Sequence, residues 1–173
     1  MSGPRYAFNL FGSARKPGIQ FSFTEYDFGP CFVLRTIMQR IAYLTLANYD
    51  NTAISIESNF EKTSQLDVQL APGQVLLPTT PDDPELDTKI LKVPIIYTPR
   101  DIEAMRETIE FDINGIHKTS VTIKGEGIPL KLELTQPDAE YVNFGAPLVG
   151  EIVTRTVQLT NKSKRPVRVT LVD

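Results

Sequence analysis

The sequence predicts an all-β protein, folded as a β-sandwich of about seven strands. Two observations predict this fold class. Apolar and polar residues alternate with a period of two along much of the 173-residue chain, and the 3.6-residue period of a helix is almost absent. Residues that favour tight turns, such as Asn114-Gly115, separate the apolar segments. Short strands with turns between them are typical of sandwiches of immunoglobulin-like size.

The alternation predicts the strands in chain order. They are expected at 19–23, 38–47, 53–60, 65–70 and 89–97, followed by a hairpin at 106–124. In the hairpin, Asn114-Gly115 suits the positive φ angles of the turn. The apolar positions that share one face of these strands form the predicted core, which contains Leu44, Leu46, Ile54, Ile56, Ile95, Ile109, Phe111, Val121 and Ile123.

Prolines refine this prediction. Pro94 interrupts a strand segment, which predicts an edge position or a bulge because proline cannot donate a ladder hydrogen bond. Pro99 could start one helical turn in segment 99–107, which we interpret as a connection between strands. Pro72-Gly73 favours a type II turn before the next strand.

The chain repeats itself at an offset of 113 residues. The segment LTLANYDNTAISI (44–56) superposes on VQLTNKSKRPVRV (157–169), and Ile19 and Phe21 fall on Leu132 and Leu134 at the same offset. A Phe-Gly pair also occurs twice, in TEYDFGPCFV and in AEYVNFGAPLVG. We interpret TEYDFGPCFV as a turn-like segment between two apolar runs. A shared offset in separate segments predicts a tandem array.

This register predicts three parts of the chain. Residues 1–17 carry the closing strand of a preceding unit, 18–128 form a complete unit, and 129–173 are the N-terminal part of a following unit. The segment GEGIP (125–129) is then a short linker, which predicts neighbouring units held in a limited range of orientations.

The repeated residues are expected to have structural roles. Asn48 and Asn161 each follow an apolar strand and precede a polar turn, so their amides are expected to bond the turn backbone, with ligand binding as the alternative. The other repeated residues are Phe28 and Phe144, expected as core anchors, and Gly29 and Gly145, expected to allow a backbone conformation or a close approach that a Cβ would block.

Composition argues against several classes of protein. The net charge of −3 and the pI of about 5.3 provide no basic field for a nucleic acid. Cys31 is the one cysteine, which favours a reducing compartment, and the first residues lack the pattern of a signal peptide. No apolar run approaches the ~20 residues of a membrane span. We therefore expect neither nucleic-acid binding nor membrane insertion.

We find no pattern typical of an enzyme. His117 is the one histidine, so a histidine-rich metal site is excluded, although a Cys31–His117 nucleophile pair stays conceivable beside the simpler interpretation of a buried thiol and a hairpin histidine. The carboxylates at 81–87 lie in a proline-rich loop without the spacing of a calcium loop. The glycines of KGEGIP do not open a helix, so they form no phosphate loop. No catalytic residue, cofactor, metal or small-molecule substrate is expected.

The order of IQFSFTEYDFG, LTLANYDNTAISI, LAPGQVLLP, VPIIYTPRDIEAMRETIEFDING and VTIKGEGIP resembles the ASH domains, which are Ig-like sandwiches of the PapD-like and major-sperm-protein group. The resemblance covers one whole repeat and two partial ones. The residues that carry the motif are Phe28, Gly29, Asn48, Pro72, Gly73, Pro99, Gly125, Gly127, Phe144, Gly145 and Asn161. The first repeat departs from the pattern because it lacks a counterpart of Gly150, and 78–88 is an apparent insertion.

The resemblance to arrays of such domains implies a non-catalytic scaffold of the motile-cilium axoneme, within the central-pair apparatus, that contacts other axonemal, cytoskeletal or microtubule-associated proteins. The implied location is the cytoplasm and cytoskeleton of the cilium. An alternative is an adaptor that binds short acidic peptides, for which the candidate basic residues are Arg35, Arg40, Lys89 and Lys92. An extracellular adhesion domain suits the fold, but not the single cysteine.

Overall fold

The chain forms eleven β-strands and no helix within the residues that the computed structural model describes, which are 9–13, 15–36, 38–78, 90–135 and 141–170. The strands are β1 (Ile19–Phe21), β2 (Glu25–Val33), β3 (Arg40–Asn48), β4 (Ile54–Ser58), β5 (Leu66–Val68), β6 (Gln74–Leu76), β7 (Ile90–Tyr97), β8 (Ala104–Ile113), β9 (His117–Pro129), β10 (Leu132–Leu134) and β11 (Leu159–Asn161). The predicted all-β class is confirmed.

Strands β1 to β9 form a sandwich of two sheets. The first sheet has the order β1-β3-β7-β5, and the second sheet has the order β2-β9-β8-β4-β6. All neighbouring strands are antiparallel except β2 and β9, which are parallel. Strands β10 and β11 form a separate antiparallel pair. The sandwich has nine strands rather than about seven because β2 and β6 are not among the strands predicted from the alternation.

The core lies between the two sheets, where both contribute aliphatic side chains. All nine predicted core residues are fully buried, and the prediction of the inward faces is confirmed. Tyr97 and Leu66 add to this core, and Phe21 packs against it with its ring 5.6 Å from that of Phe111. Burial of apolar surface on this scale is the dominant favourable contribution to folding.

The predicted β-hairpin at 106–124 is confirmed and is longer than expected. Strands β8 and β9 pair from Ala104↔Glu126 to Ile113↔His117. Asn114 and Gly115 connect them with φ angles of 56° and 69°, so this turn uses the positive φ that favours these residue types.

Two predictions about strand limits are wrong. TEYDFGPCFV is not turn-like, because Glu25–Val33 forms β2 and pairs with β9. The segment 125–129 is not a linker, because it continues β9 and pairs with the second half of β2. Only Leu130 and Lys131 separate β9 from β10.

Pro94 lies in β7, between β3 and β5, and pairs with Tyr43 without a register shift, so β7 is neither an edge strand nor bulged at this residue, and the prediction is wrong. Its carbonyl accepts a hydrogen bond from the N–H of Gln69, the residue that directly follows β5. In an antiparallel pair the N–H and C=O of one residue face the same neighbour. The N–H that Pro94 lacks therefore falls where the β5 ladder has already ended.

Some predicted features lie outside the described residues. These include the carboxylate loop 81–87, Lys89 and residues 6–8 of the expected closing strand. Residues 9–13 are described and form no strand, and the side chains of Leu10 and Phe11 are almost fully exposed.

Candidate functional site

The Phe28-Gly29 pair forms a β-bulge in the middle of β2. The register changes from Asp27↔Lys124 to Pro30↔Glu126, so two residues of β2 face one residue of β9. Gly29 has a φ of 65°, and its N–H donates to the Asp27 carboxylate at 2.7 Å. The aspartate thus caps the bulge, and the glycine supplies a backbone conformation that other residues rarely adopt.

Phe28 connects the bulge to the core through aromatic contacts. Its ring centroid lies 5.0 Å from Tyr26 and 5.3 Å from Tyr97, and Tyr26 in turn lies 5.1 Å from Phe23. Phe28 is half-buried and packs against the buried cluster. Rings at these distances contribute beyond their buried area, so the bulge is anchored by its side chain as well as by its backbone.

Gly125 and Gly127 let β9 approach its neighbours closely. A Cβ built on Gly125 would lie 2.7 Å from Cε1 of Tyr97, and one on Gly127 would lie 1.9 Å from the carbonyl oxygen of Asp101. The N–H of Gly127 also donates to the carbonyl of Glu103 at 2.8 Å. These glycines are therefore required by packing.

Tyr97 is fully buried beneath Gly125, and its hydroxyl has no hydrogen-bond partner among the described residues. Burial raises the pKa of Tyr97 to about 12, and electrostatic interactions with Cys31, Glu103 and Glu126 add to this effect. The shift has a structural cause, because Tyr97 is buried in the core.

Asn48 fixes the turn after β3. Its amide nitrogen lies 2.8 Å from the carbonyl of Thr52 and 3.2 and 3.1 Å from those of Leu76 and Leu77, and its amide oxygen accepts from the N–H of Asp50 at 2.8 Å. Asn48 therefore connects the end of β3 in one sheet to the end of β6 in the other. These contacts agree with the turn role rather than with a ligand role.

The pair β10–β11 reproduces the pair β1–β3 at the offset of 113 residues. Ile19↔Asn48 becomes Leu132↔Asn161, with the same register throughout. Asn161 also repeats the turn bonds of Asn48, since its amide donates to the carbonyl four residues later at 2.8 Å and accepts from the N–H two residues later at 2.9 Å. The sequence repeat is thus also a repeat of backbone geometry.

The second Phe-Gly pair repeats the local bonding of the bulge. Gly145 has a φ of 74°, and its N–H donates to the side chain of Asn143 at 2.8 Å, as Gly29 does to Asp27. Phe144 differs from Phe28, because half of it is exposed, so the expected core role of Phe144 is not found.

Of the other motif residues, Gly73 has the φ of 68° that the third position of a type II turn requires, and Pro99 is buried.

A shallow groove of about 300 Å³ lies beside the bulge on the outer face of the second sheet. Asp27, Pro30, Arg106, Lys124 and Glu126 contribute to its lining. The turn after β11 reaches the same region, where Arg165 donates to the carbonyl of Pro30 at 2.7 Å and the ammonium group of Lys164 pairs with Glu126. This surface combines a backbone carbonyl, a carboxylate and a bound basic turn.

Two of the four basic residues proposed for acidic peptides, Arg40 and Lys92, lie apart in the first sheet. Arg40 and Lys92 lie opposite Tyr97 and Thr45 in the β3–β7 ladder, which places them roughly 17 Å apart along the strands. Arg35 is exposed in the connection between β2 and β3, and Lys89 lies outside the described residues. The ladder therefore separates Arg40 from Lys92.

Cys31 and His117 do not form a nucleophile pair. Cys31 lies opposite Gly127 on β9, ten residues from His117 on the same strand, which corresponds to roughly 33 Å.

The described part of the chain contains no group of three or more His, Cys, Asp or Glu residues that could hold a metal ion. The same residues contain no helix that could cross a membrane.

The outer face of the first sheet is more apolar than expected. Ile41 and Tyr43 are 49% and 59% exposed, and they lie opposite Ile96 and Pro94. The solvent face of an antiparallel sheet is commonly polar. The sequence of β3 indicates this apolar outer face, because the outward residues Ile41 and Tyr43 are as apolar as the inward residues of the same strand.

The sequence is similar to two curated proteins. It is 34% identical over 162 residues to the hydrocephalus-inducing protein of Mus musculus and 35% identical over 162 residues to its homologue in Homo sapiens, in each case over 93% of this chain. The chain spans about 3% of the length of these relatives. No model of a protein family matches it.

The fold is similar to that of a human domain. The ASH/PapD-like domain of CEP192 (PapD-like domain 7) covers 74% of this chain and all of its own length, with a TM-score of 0.50 and 15% identity. The fold is ASH/PapD-like. The predicted resemblance to the ASH domains is confirmed at the level of fold by the human domain, and the sequence is similar to the hydrocephalus-inducing proteins.

Proposed function

We propose that this chain is a non-catalytic scaffold module of the motile-cilium axoneme, within the central-pair apparatus, where it contacts other axonemal proteins. The observation that carries the proposal is the similarity to the hydrocephalus-inducing proteins over 93% of the chain. The architecture suits a scaffold, because the sandwich is filled by its own side chains and the groove beside the bulge is shallow and open.

We also propose that 18–128 is one complete unit and that 129–173 begins the next. The repeated register of β1–β3 in β10–β11 supports this division, as do the repeated asparagine turns and Phe-Gly pairs. Repeat proteins of this kind offer long surfaces along which several partners can bind.

The ciliary role is tested with the full-length protein in cells that carry motile cilia. A tagged copy is expected along the axoneme, at the central pair, and its loss is expected to impair beating while the cilia still assemble. A copy that lacks only the segment corresponding to 18–128 tests the module itself. Localisation outside motile cilia, together with normal beating after loss of the protein, would contradict the proposal.

The adaptor alternative is tested separately on an array of acidic peptides. The dispersed positions of Arg40 and Lys92 predict no specific, salt-sensitive binding. Binding that Lys92→Glu abolishes, and that the matched reversal Arg168→Glu leaves intact, would favour the adaptor over the scaffold.

A further inference from the structure

The turn that follows β11 is seated on the sandwich at one cross-strand pair. Pro30 of β2 and Glu126 of β9 are register partners. Arg165 donates to the carbonyl of Pro30 at 2.7 Å, and Lys164 pairs with the carboxylate of Glu126. Two consecutive basic residues therefore bind two adjacent acceptors, which is a more specific arrangement than a single surface ion pair.

The bulge explains why this carbonyl is available. β2 is the edge strand of its sheet, and an edge strand presents backbone groups that its own sheet does not pair. The extra residue at Phe28-Gly29 interrupts the ladder directly before Pro30. A guanidinium group makes a charge-assisted hydrogen bond, which is stronger than a neutral one, so Arg165 is well suited to this half-buried acceptor.

The corresponding turn after β3 makes contacts of the same kind. Asp50 and Asn51 are the counterparts of Ser163 and Lys164 at the offset of 113 residues. Arg15, in the segment that precedes β1, lies 2.9 Å from the carboxylate of Asp50 and 3.1 Å from the side-chain oxygen of Asn51. The turn after β3 thus also contacts the preceding chain, through an acidic and an amide side chain that both accept from one arginine.

We propose that the Pro30–Glu126 pair is the docking site for the Lys164–Arg165 turn, and that this joint fixes the orientation of β10–β11 relative to the sandwich. The two-residue connection between β9 and β10 limits the separation of the two parts, and the joint selects one orientation within that limit. Arg165 is the main contact. The Lys164–Glu126 pair is largely exposed, at 66% and 39%, so salt weakens it. The joint is a property of this chain and does not rest on the ciliary proposal.

The test is ¹⁵N relaxation and residual dipolar couplings on the whole chain. In the wild type, residues 18–128 and 131–170 are expected to share one alignment tensor and one rotational correlation time. Arg165→Ala is expected to abolish the shared tensor and to shorten the correlation time of 131–170. The matched control Arg168→Ala removes an exposed arginine from the same segment and is expected to leave both unchanged.

A charge exchange tests the second contact. Lys164→Glu and Glu126→Lys are each expected to weaken the orientational coupling between 18–128 and 131–170, seen as a less closely shared alignment tensor. The double variant is expected to restore it. Amide chemical shifts of 18–128 verify that each variant keeps the sandwich intact. Independent tumbling of 131–170 in the wild type, whether folded or not, would overturn the proposal. Coupling that survives Arg165→Ala, or a double variant that behaves like the single ones, would also overturn it.

Discussion

Gly125 of β9 lies so close to Tyr97 of β7 that a Cβ on the glycine would be 2.7 Å from the Cε1 atom of the ring. The two residues belong to opposite sheets, so their contact sets the spacing of the sandwich at this point. Tyr97 is fully buried, and the ring of Phe28 packs against it at 5.3 Å. The ring therefore has little room to move away from a larger residue.

Gly125→Ala is expected to lower the free energy of unfolding by about 1–3 kcal/mol, the usual effect of overpacking a filled core. Urea denaturation of the whole chain measures this change. Gly12→Ala is the control, because nothing lies within 4 Å of a Cβ at that position. Alanine in a strand is otherwise favourable by roughly 0.5–1 kcal/mol relative to glycine. An alanine variant at 125 as stable as the wild type would therefore show that the contact with Tyr97 is not tight.

The two repeated asparagines provide a second, internally matched comparison. Asn48 is buried and its amide nitrogen lies close to three carbonyls, whereas Asn161 is exposed and donates to one. Asn48→Ala leaves buried acceptors without their donor and is expected to cost about 1–3 kcal/mol of stability. Asn161→Ala is expected to change stability by less than about 0.5 kcal/mol. Equal effects in urea denaturation would contradict the turn role assigned to Asn48.

The sequence predicted the inward faces of the sandwich, but not the bulge or the joint. Alternation identifies positions such as Leu44 and Phe111 because their faces are set locally, by the period of the strand. β2 escaped recognition because Gly29 and Pro30 interrupt its alternation, and its partner β9 lies about a hundred residues away. The Arg165–Pro30 contact joins residues 135 apart, and no local pattern predicts such a pair.

Tyr97 predicts a loss of stability at alkaline pH. Its pKa is raised to about 12 in the folded chain, against about 10 when it is exposed on unfolding. Below about pH 10 the Tyr97 hydroxyl is protonated in both the folded and the unfolded chain, so its titration does not lower the free energy of unfolding. As the pH rises from about 10 to 12, the unfolded state loses the proton first, so stability falls by an amount on the order of 2–3 kcal/mol.

Denaturation at pH 8, 10 and 11 measures this loss, and Tyr97→Phe is the control because it removes the ionisable hydroxyl and keeps the ring. The variant is expected to be at least as stable as the wild type at pH 8, since the hydroxyl has no partner among the described residues. It is also expected to lose less stability between pH 10 and 11. Identical pH profiles for the two proteins would show that Tyr97 does not titrate with a raised pKa.

The β10–β11 pair predicts association of the whole chain. Leu132, Leu134 and Leu159 are each about 40% exposed, whereas their counterparts Ile19, Phe21 and Leu46 pack in or against the core. An uncovered apolar sheet promotes pairing with another chain. Sedimentation equilibrium is expected to show concentration-dependent association of residues 1–173 and a monomer for residues 18–128.

Substitutions within the strands separate this effect from non-specific aggregation. Leu134→Lys, on β10, is expected to reduce the association, and the control Glu133→Lys adds the same residue at the neighbouring position without removing apolar surface. The uncovered sheet has a second consequence. At low protein concentration, where the chain is not associated, residues 131–170 should exchange their amide hydrogens faster than β8 and β9 do. A monomeric whole chain with equally slow exchange in both regions would show that the division at residue 128 is wrong.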